Sequence, residues 1–467
     1  MNRFARTTFW YTVAGLLGPV VALGLTPIYT RAIGVSGYGT VDVLLTLWQG
    51  AYTVALWGMA TVLAGIYTGT ADEDRQQRIV LSVGVAVVLL SCGVGAAVYP
   101  LAPWIAAITE RPEAIVALPY LVGALPFAVV YTMLLQVFRL RSDIRRTVVT
   151  MLTLVVVTAA TRIGMVVVAG WGVVGMIQAA ALTQVVMACV TVLLGWRLIG
   201  RRLDGHIVEQ YYRTGLPLFP VSIASWVLLY ADRWLLAPQV SPLALGQYAL
   251  GVLVASLLAF AIEPLKNAWQ PIALRNNRHE DERFLATSYR LYESVALLVG
   301  AGVVLGAPSL LWIIGGADAQ AAARYVLPLA SMPVLGGVQV LVGIRAVHHG
   351  RTPTFGVSGV SAAVVNLVLN LLLIPTYGVM GAAWATAAAA MTGTLALAWA
   401  ERQTIRQMQV GAGLWLVCAW GVGLAWWGNV GAGWGIGVVL LCLVTVTIFR
   451  AWPAVKAWRS LGSSIDP

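Results

Sequence analysis

The sequence predicts an all-α integral membrane protein with about 14 transmembrane helices, and three observations carry that prediction. Of the 467 residues, 60% are apolar and only 10% are charged, whereas soluble domains carry about 25% charged residues. The apolar residues form runs long enough to cross about 30 Å of hydrocarbon as helices. Basic residues concentrate in alternate loops, as in multi-pass membrane proteins. This pattern excludes an ordinary soluble enzyme, a disordered chain and, despite the net charge of +11, a nucleic-acid binder.

The predicted spans follow one another with short loops. They cover approximately residues 8–33, 40–67, 79–99, 114–138, 147–169, 176–196, 215–237, 246–270, 291–313, 324–346, 355–375, 380–400, 411–428 and 433–450. Helices are expected because backbone polar groups in lipid must be satisfied within their own segment. No glycine-rich phosphate-binding loop with its following lysine is found, so ATP hydrolysis by this chain is not expected.

The basic residues of the loops predict the orientation. Of the 29 lysines and arginines, 24 lie in one set of loops or at the termini, and only Arg31, Arg111 and Arg324 lie on the opposite side. By the positive-inside rule, both termini are expected in the cytoplasm. The predicted location is therefore the plasma or inner membrane, crossed many times.

An internal repeat divides the spans into two predicted lobes. With a shift of 206 residues, the segment Trp-Gly-Val-Val-Gly at 171–175 aligns with Tyr-Gly-Val-Met-Gly at 377–381. Each copy holds six spans, an even number, so both copies enter the membrane in the same direction and form a parallel repeat around a central cavity. The predicted domains are an N-lobe at 1–200, a C-lobe at 201–409, and two appended helices with a cytoplasmic tail at 410–467.

Arginines inside the spans are candidates for binding an anionic substrate. Arg31, Arg162 and Arg233 qualify, because a guanidinium stays charged and holds phosphate through two parallel hydrogen bonds. The alternative for Arg31 is extension to the membrane interface. The alternative for the other two is an ion pair, with Asp42 or Asp232 for Arg162, and with Asp232 or a partner on another span for Arg233.

Other polar residues in the spans suggest gating. Glu263 and Lys266 lie three residues apart and can share one helix face, where they would form a gate or coupling site, or else a local salt bridge. The four cysteines and four histidines lack the spacing of metal ligands, so neither a metal nor a cofactor is expected.

Glycines and prolines mark two candidate hinges in equivalent spans. Gly18, Pro19 and Pro27 lie in the first span, and Pro217 and Pro220 begin the seventh. Proline interrupts helical hydrogen bonds, and interrupted helices in corresponding positions of two repeats are typical of moving, site-lining elements. A static kink is the alternative.

Four motifs carry a resemblance to a known family. They are Arg-Ala-Ile-Gly-Val-Ser-Gly-Tyr-Gly at 31–39, Gly-Leu-Pro-Leu at 215–218, Tyr-Ala-Asp-Arg at 230–233 followed by Gly-Gln-Tyr at 246–248, and the segment 370–386. The chain resembles the polysaccharide and oligosaccharide flippases of the Wzx type. Their superfamily also holds the MATE drug exporters and the lipid II flippases.

The resemblance implies a flippase without enzymatic activity. It would move an undecaprenyl-pyrophosphate-linked oligosaccharide from the inner to the outer leaflet by alternating access, for surface polysaccharide biosynthesis. The implied partners are that lipid-linked sugar, membrane lipids, and the polymerase and glycosyltransferases of the same pathway. Ion coupling would use carboxylates such as Asp42, Asp232, Glu263 or Glu293.

Three alternatives stay open at this point. A MATE-type drug antiporter would need acidic and aromatic residues for organic cations, whereas the outer halves of the spans hold more arginine than carboxylate. A lipid II flippase shares the expected fourteen spans. A membrane polysaccharide polymerase or ligase would need a sizeable external loop, and the longest one expected here covers only residues 100–113.

Overall fold

The computed structural model describes residues 3–273, 278–348 and 352–402, and these residues are almost entirely helical. The α-helices of this part of the chain are α1 (Arg3–Leu56), α2 (Met59–Thr68), α3 (Glu73–Val98), α4 (Ala102–Thr109), α5 (Glu113–Leu140), α6 (Ile144–Arg162), α7 (Gly172–Gly195), α8 (Gly205–Gly215), α9 (Phe219–Leu236), α10 (Pro242–Ala273), α11 (Arg278–Gln320), α12 (Ala323–His348) and α13 (Thr352–Ala400). A π-helix, Ile163–Val168, continues α6. The last two predicted spans lie outside the described residues.

The predicted class, an all-helical protein that crosses the membrane many times, is confirmed. Within the described residues, ten helical stretches are long and apolar enough to span a membrane. Two of them, Leu17–Thr68 and Gly356–Ala400, each hold two predicted spans. Glycines with positive φ break these two stretches, Gly34 at 74° and Gly378 at 54°. The first twelve predicted spans therefore all fall on apolar helices, while the total of 14 stays a prediction.

Short polar side chains begin several helices on the arginine-rich side. Asp72 accepts a hydrogen bond from the backbone N–H of Asp74 at the start of α3, at 3.1 Å. Asp143 accepts one from the N–H of Arg146 at the start of α6, at 3.0 Å. Such caps satisfy N–H groups that have no partner within the helix. They place the helix boundaries in the loops rather than inside the apolar runs.

One pair of equivalent glycines in the repeated motif has a positive φ in both copies. Gly172 has φ 60° and its counterpart Gly378 has φ 54°, a conformation that residues with a side chain rarely adopt. The second glycines of the motif also match in their crowding. A Cβ on Gly175 would lie 2.6 Å from Cβ of Trp171, and one on Gly381 would lie 2.7 Å from the carbonyl carbon of Leu373. Both copies therefore need glycine at these two positions, while the division into two lobes stays a prediction.

The second predicted span is not one continuous helix. It is broken at Trp57 (φ 49°) and Gly58 (φ 73°), between α1 and α2. The Trp57 ring stacks on Phe219 with centroids 4.4 Å apart, and its Nε1 donates to the carbonyl of Tyr212 at 3.2 Å. A Cβ on Gly215 would lie 2.5 Å from the Trp57 carbonyl oxygen. The glycine that begins the Gly-Leu-Pro-Leu motif thus permits this contact.

Glycines of two other motifs meet each other directly. A Cβ on Gly39 would lie 2.7 Å from Cα of Gly246, and a Cβ on Gly246 would lie 2.7 Å from the carbonyl carbon of Val35. Only residues without a side chain allow backbones to approach this closely. The break in α1 is thereby packed against the start of α10.

Contacts group the chain into two compact units, Met1–Gly246 and Gln247–Pro467. The first unit contains two buried apolar clusters. One surrounds Phe138 and Tyr211, and the other surrounds Tyr29 and Leu44. The second of these clusters carries the charged residues described next. The predicted lobe boundaries and the cavity between the lobes stay predictions.

Candidate functional site

Three charged residues form a buried ion-pair cluster between α1 and α9. Arg233 Nε donates to Oδ2 of Asp42 at 3.0 Å, and Arg233 Nη1 donates to Oδ1 of Asp232 at 2.8 Å. Nη1 also donates to the carbonyl oxygen of Leu229 at 2.6 Å. The structure thus brings together three of the predicted site residues. Arg233 forms an ion pair, which is one of the two roles that the sequence left open for it.

Because Asp232 and Arg233 are buried, the charged residues of this cluster depend on one another for stability. Asp232 is 2% exposed and Arg233 is 4% exposed, and the guanidinium lies over the Tyr230 ring, 5.6 Å from its centroid. A charge removed from water is tolerated only when its partners compensate for the lost hydration. With all three groups ionised, two carboxylates and one guanidinium leave one excess negative charge.

Arg162 lies near this cluster but has a different environment. It is the last residue of α6, directly before the π-helix, and π-helical turns are frequent at functional sites. Within the described residues no carboxylate comes within 4.0 Å of its guanidinium, and its buried Nε has no hydrogen-bond partner. The sequence left open an ion pair of Arg162 with Asp42 or Asp232, and neither pair forms in this structure.

Tyrosines connect Arg162 to the ion-pair cluster. The Arg162 Cζ lies 6.0 Å from the centroid of the Tyr29 ring. Tyr38 is within electrostatic range of Asp42, Arg162 and Arg233. Because Tyr38 and Asp42 are four residues apart on one helix, they lie on the same face.

Further buried donors without a partner lie in the same apolar cluster. Tyr29 Oη, Trp48 Nε1 and Trp234 Nε1 make no hydrogen bond within the described residues. An unsatisfied buried donor is costly, and among these residues Tyr29 lies next to Arg162. The Nε of Arg162 and the hydroxyl of Tyr29 are donors that would suit an anion whose oxygen atoms accept hydrogen bonds.

The remaining predicted site residues are dispersed. Arg31 is exposed on α1, without a salt bridge in the described part of the chain. Glu263 is exposed on α10, and the side chain of Lys266 lies outside the described residues. Their roles, and those of Asp42 and Asp232 in coupling, stay predictions.

The candidate hinges occupy two kinds of position. Pro19 and Pro27 lie inside α1, but the backbone there departs from helical dihedrals at Gly34 instead. Gly18 is half-buried, 3.7 Å from Val155. Pro217 lies in a short 3₁₀-helix, Leu216–Leu218, and Pro220 lies in the first turn of α9, where proline is well tolerated. A hinge at these positions stays a prediction.

Sequence reasoning missed one buried arginine. Arg111, between α4 and α5, is only 4% exposed, and its Nε and Nη2 have no hydrogen-bond partner among the described residues. Burial lowers the pKa of Arg111, while Glu113 and Glu110 act in the opposite direction. The sequence gives no signal for this burial, because the residue sits in a short polar turn.

The fold and the cluster define a class of protein: a helical, multi-pass membrane protein with charged residues among its spanning helices. Residues 4–276 match the family described as polysaccharide biosynthesis protein. This match covers more than half of the chain, and the chain belongs to that family.

A curated relative supports the same assignment. The probable low-salt glycan biosynthesis flippase Agl15 of Haloferax volcanii is 24% identical over 228 residues, which cover 45% of this chain. The aligned region spans 47%, about half, of the length of that relative.

Solved structures share the fold. The lipid II flippase MurJ, in an inward closed conformation, matches 94% of this chain and 98% of its own, with a TM-score of 0.71 and 11% identity. The Vibrio cholerae MATE transporter VcmN, in a bent form, matches 86% of this chain and 98% of its own, with a TM-score of 0.57 and 14% identity.

Proposed function

We propose that this protein is a flippase for lipid-linked oligosaccharides, without enzymatic activity of its own. It carries an undecaprenyl-diphosphate-linked unit from the inner to the outer leaflet, with both of its termini in the cytoplasm. Three findings support the proposal: the polysaccharide biosynthesis family, the flippase name of a relative, and a fold shared with transporters. The polymerase and glycosyltransferases of the same pathway would be its functional partners.

The observation that carries the proposal is the environment of Arg162. Its guanidinium lies among membrane-spanning helices without a neighbouring carboxylate in the described residues, and it lies over the ring of Tyr29, whose buried hydroxyl also has no hydrogen-bond partner there. A diphosphate supplies negative charge and several acceptor oxygens, so it would satisfy these groups together. From the start of α6, a rise of about 1.5 Å per residue places Arg162 about 27 Å along the helix, in the outer half of the membrane in the proposed orientation.

The ion-pair cluster argues against an organic cation as the substrate. Both of its carboxylates, Asp42 and Asp232, are engaged by Arg233. A cationic drug entering this region would have to displace Arg233 from its two partners while facing Arg162. The charge of Arg162 balances the excess negative charge of the cluster, so an anionic head group beside Arg162 does not face a net negative charge. Asp42, Asp232, Glu263 and Lys266 then serve coupling or gating rather than binding of the head group.

The test is flipping in proteoliposomes. A lipid-diphosphate-linked oligosaccharide is incorporated, and its exposure on the outer leaflet is measured for the wild type, Arg162→Gln and Arg162→Lys. Arg324→Gln is the matched control, since it removes one charge from an exposed position on α12. We expect Arg162→Gln to slow flipping at least about tenfold, the loss of one charge-assisted hydrogen bond. Arg162→Lys should keep part of the activity, because lysine keeps the positive charge but cannot donate two parallel hydrogen bonds to a phosphate.

Two results would overturn the proposal. In the first, the wild type moves no lipid-linked sugar and instead expels an organic cation against a proton gradient. In the second, Arg162→Gln folds, as judged by its thermal unfolding, and flips as fast as Arg324→Gln. The second result would make Arg162 a structural residue.

A further inference from the structure

A cationic pocket lies where the beginning of α3 meets the turn after α7. Its volume is about 560 Å³. The side chains of Arg78, Arg197, Arg201 and Arg202 line it together with one carboxylate, Asp74. Four positive charges and one negative charge give the pocket a net charge of +3. None of these residues belongs to the site around Arg162.

Hydrogen bonds hold the two walls of this pocket together. The backbone N–H of Gly200 donates to the carbonyl of Gln77 at 2.9 Å, and Nε2 of Gln77 donates to the carbonyl of Arg197 at 3.2 Å. The N–H of Asp204 donates to Oγ of Ser82 at 2.9 Å. A Cβ on Gly200 would lie 2.7 Å from the carbonyl carbon of Gln77. The turn is therefore a fixed part of the first unit.

Two arginines of the pocket are placed as ligands of an anion would be. The Nε of Arg78 is buried and has no hydrogen-bond partner in the described part of the chain. Arg197 lies over the Trp196 ring, 5.2 Å from its centroid. Stacking restricts the guanidinium without using its N–H donors. Both side chains keep donors for phosphate oxygens.

An apolar groove adjoins the cationic pocket. It has a volume of about 240 Å³ and runs between α3 and α5, from Val80 to Leu89 on one side and from Val130 to Leu134 on the other. Every side chain that lines it is apolar, and Ile199 lines both the groove and the pocket. Leu89 is 65% exposed, as expected of a side chain that faces lipid.

We propose that the cationic pocket and the apolar groove together bind one anionic phospholipid. The phosphate lies on Arg78, Arg197, Arg201 and Arg202, and an acyl chain follows the groove past Ile199. Basic pockets between membrane helices bind anionic head groups. A free phosphate would make no use of the groove, and a zwitterionic lipid would not match a charge of +3.

The test is lipid binding to the purified full-length protein in detergent, counted by native mass spectrometry. The probes are cardiolipin, phosphatidylcholine, farnesyl diphosphate and inorganic pyrophosphate. We expect cardiolipin to bind at least about tenfold more tightly than phosphatidylcholine. Its affinity should fall as salt rises from about 0.1 to 1 M, because the Debye length shortens. Binding is read without transport, so failure of the flippase proposal leaves this test intact.

Variants locate the site. Arg78→Gln should weaken cardiolipin binding about tenfold, while Arg78→Lys should weaken it less. Arg213→Gln is the matched control, since Arg213 is 83% exposed and pairs only peripherally with Glu209 at 3.6 Å. Should Arg78→Gln fail to fold, the double variant Arg201→Gln/Arg202→Gln changes two exposed side chains of the same pocket.

Three outcomes would overturn the proposal. One is equal binding of cardiolipin and phosphatidylcholine. Another is equal loss of cardiolipin binding in the pocket variants and in Arg213→Gln. The third is binding of pyrophosphate or farnesyl diphosphate without cardiolipin, which would assign the pocket to a phosphate of another source.

Discussion

Arg233 and Arg162 both lie close to the apolar cluster around Tyr29 and Leu44, and their charged partners differ. Arg233 is held by Asp42 and Asp232, with donor–acceptor distances of 3.0 and 2.8 Å. Arg162 has no carboxylate within 4.0 Å in the described residues. Arg233 therefore joins α1 to α9 through an ion pair, whereas the Nε of Arg162 has no hydrogen-bond partner among the described residues.

Removing Arg233 should unfold the protein more readily than removing the whole buried pair. Arg233→Met leaves the buried Asp232 without its cation, and breaking a buried pair costs about 3–5 kcal/mol. The double variant Arg233→Met/Asp232→Asn removes both charges and should recover most of that loss. Thermal unfolding in detergent, followed by tryptophan fluorescence, measures both. Equal loss in the single and double variants would contradict the ion-pair role.

Arg111 should behave in the opposite way. Burial lowers its pKa, so folding disfavours its charged form. A base with a lowered folded pKa gains stability only as the pH rises through that pKa, and for arginine this range lies far above neutrality. Arg111→Met should therefore leave stability unchanged or raise it, by up to about 1–4 kcal/mol, with no pH dependence between about pH 6 and 8. A lower unfolding temperature for Arg111→Met would show that Arg111 has a stabilising partner.

At the scale of the helices, glycines with positive φ end or break the apolar runs. Gly34 and Gly378 interrupt α1 and α13, and Gly172 begins α7. These positions divide the long apolar segments into separate helices. Because Gly172 and Gly378 are equivalent in the repeat, their substitution tests that equivalence.

Alanine at either repeated glycine should cost a similar amount of stability. At φ 60° and 54° a Cβ introduces backbone strain of about 1–3 kcal/mol. Gly172→Ala and Gly378→Ala should therefore lower the unfolding temperature by similar amounts. Gly164→Ala and Gly359→Ala are the controls, because each has open space around its Cβ. A loss in only one copy would show that the motif is not equivalent in structure.

The sequence predicted the helices more completely than it predicted the contacts of the candidate site. Hydrophobic run length located twelve spans, because burial in lipid dominates all other terms there. It missed the break at Trp57 and Gly58, since this depends on a tertiary contact with Gly215. The sequence singled out Arg162 and Arg233 as charged residues in lipid. Only packing could decide which of them meets Asp42, because the pair lies 191 residues apart in the chain.

At the scale of the whole molecule, the arginine distribution fixes the expected orientation, and the direction of transport depends on it. Basic residues near span ends are retained in the cytoplasm, and 24 of 29 lie on one predicted side. In that orientation Arg162 lies in the outer half of the membrane, and the cationic pocket lies at the cytoplasmic leaflet, which is rich in anionic lipid. Both proposals therefore depend on the predicted orientation of the protein, which can be measured.

Single cysteines on either side of α9 test that premise. In a background with alanine at the four native cysteines, His206→Cys lies in the first turn of α8 and Gln239→Cys lies just after α9, and both positions are exposed. A membrane-impermeant maleimide applied to intact cells should label Gln239→Cys only. His206→Cys should react after permeabilisation, because α9 spans about 27 Å at 1.5 Å per residue. The reverse pattern would invert the topology, placing the cationic pocket outside and Arg162 in the inner half of the membrane.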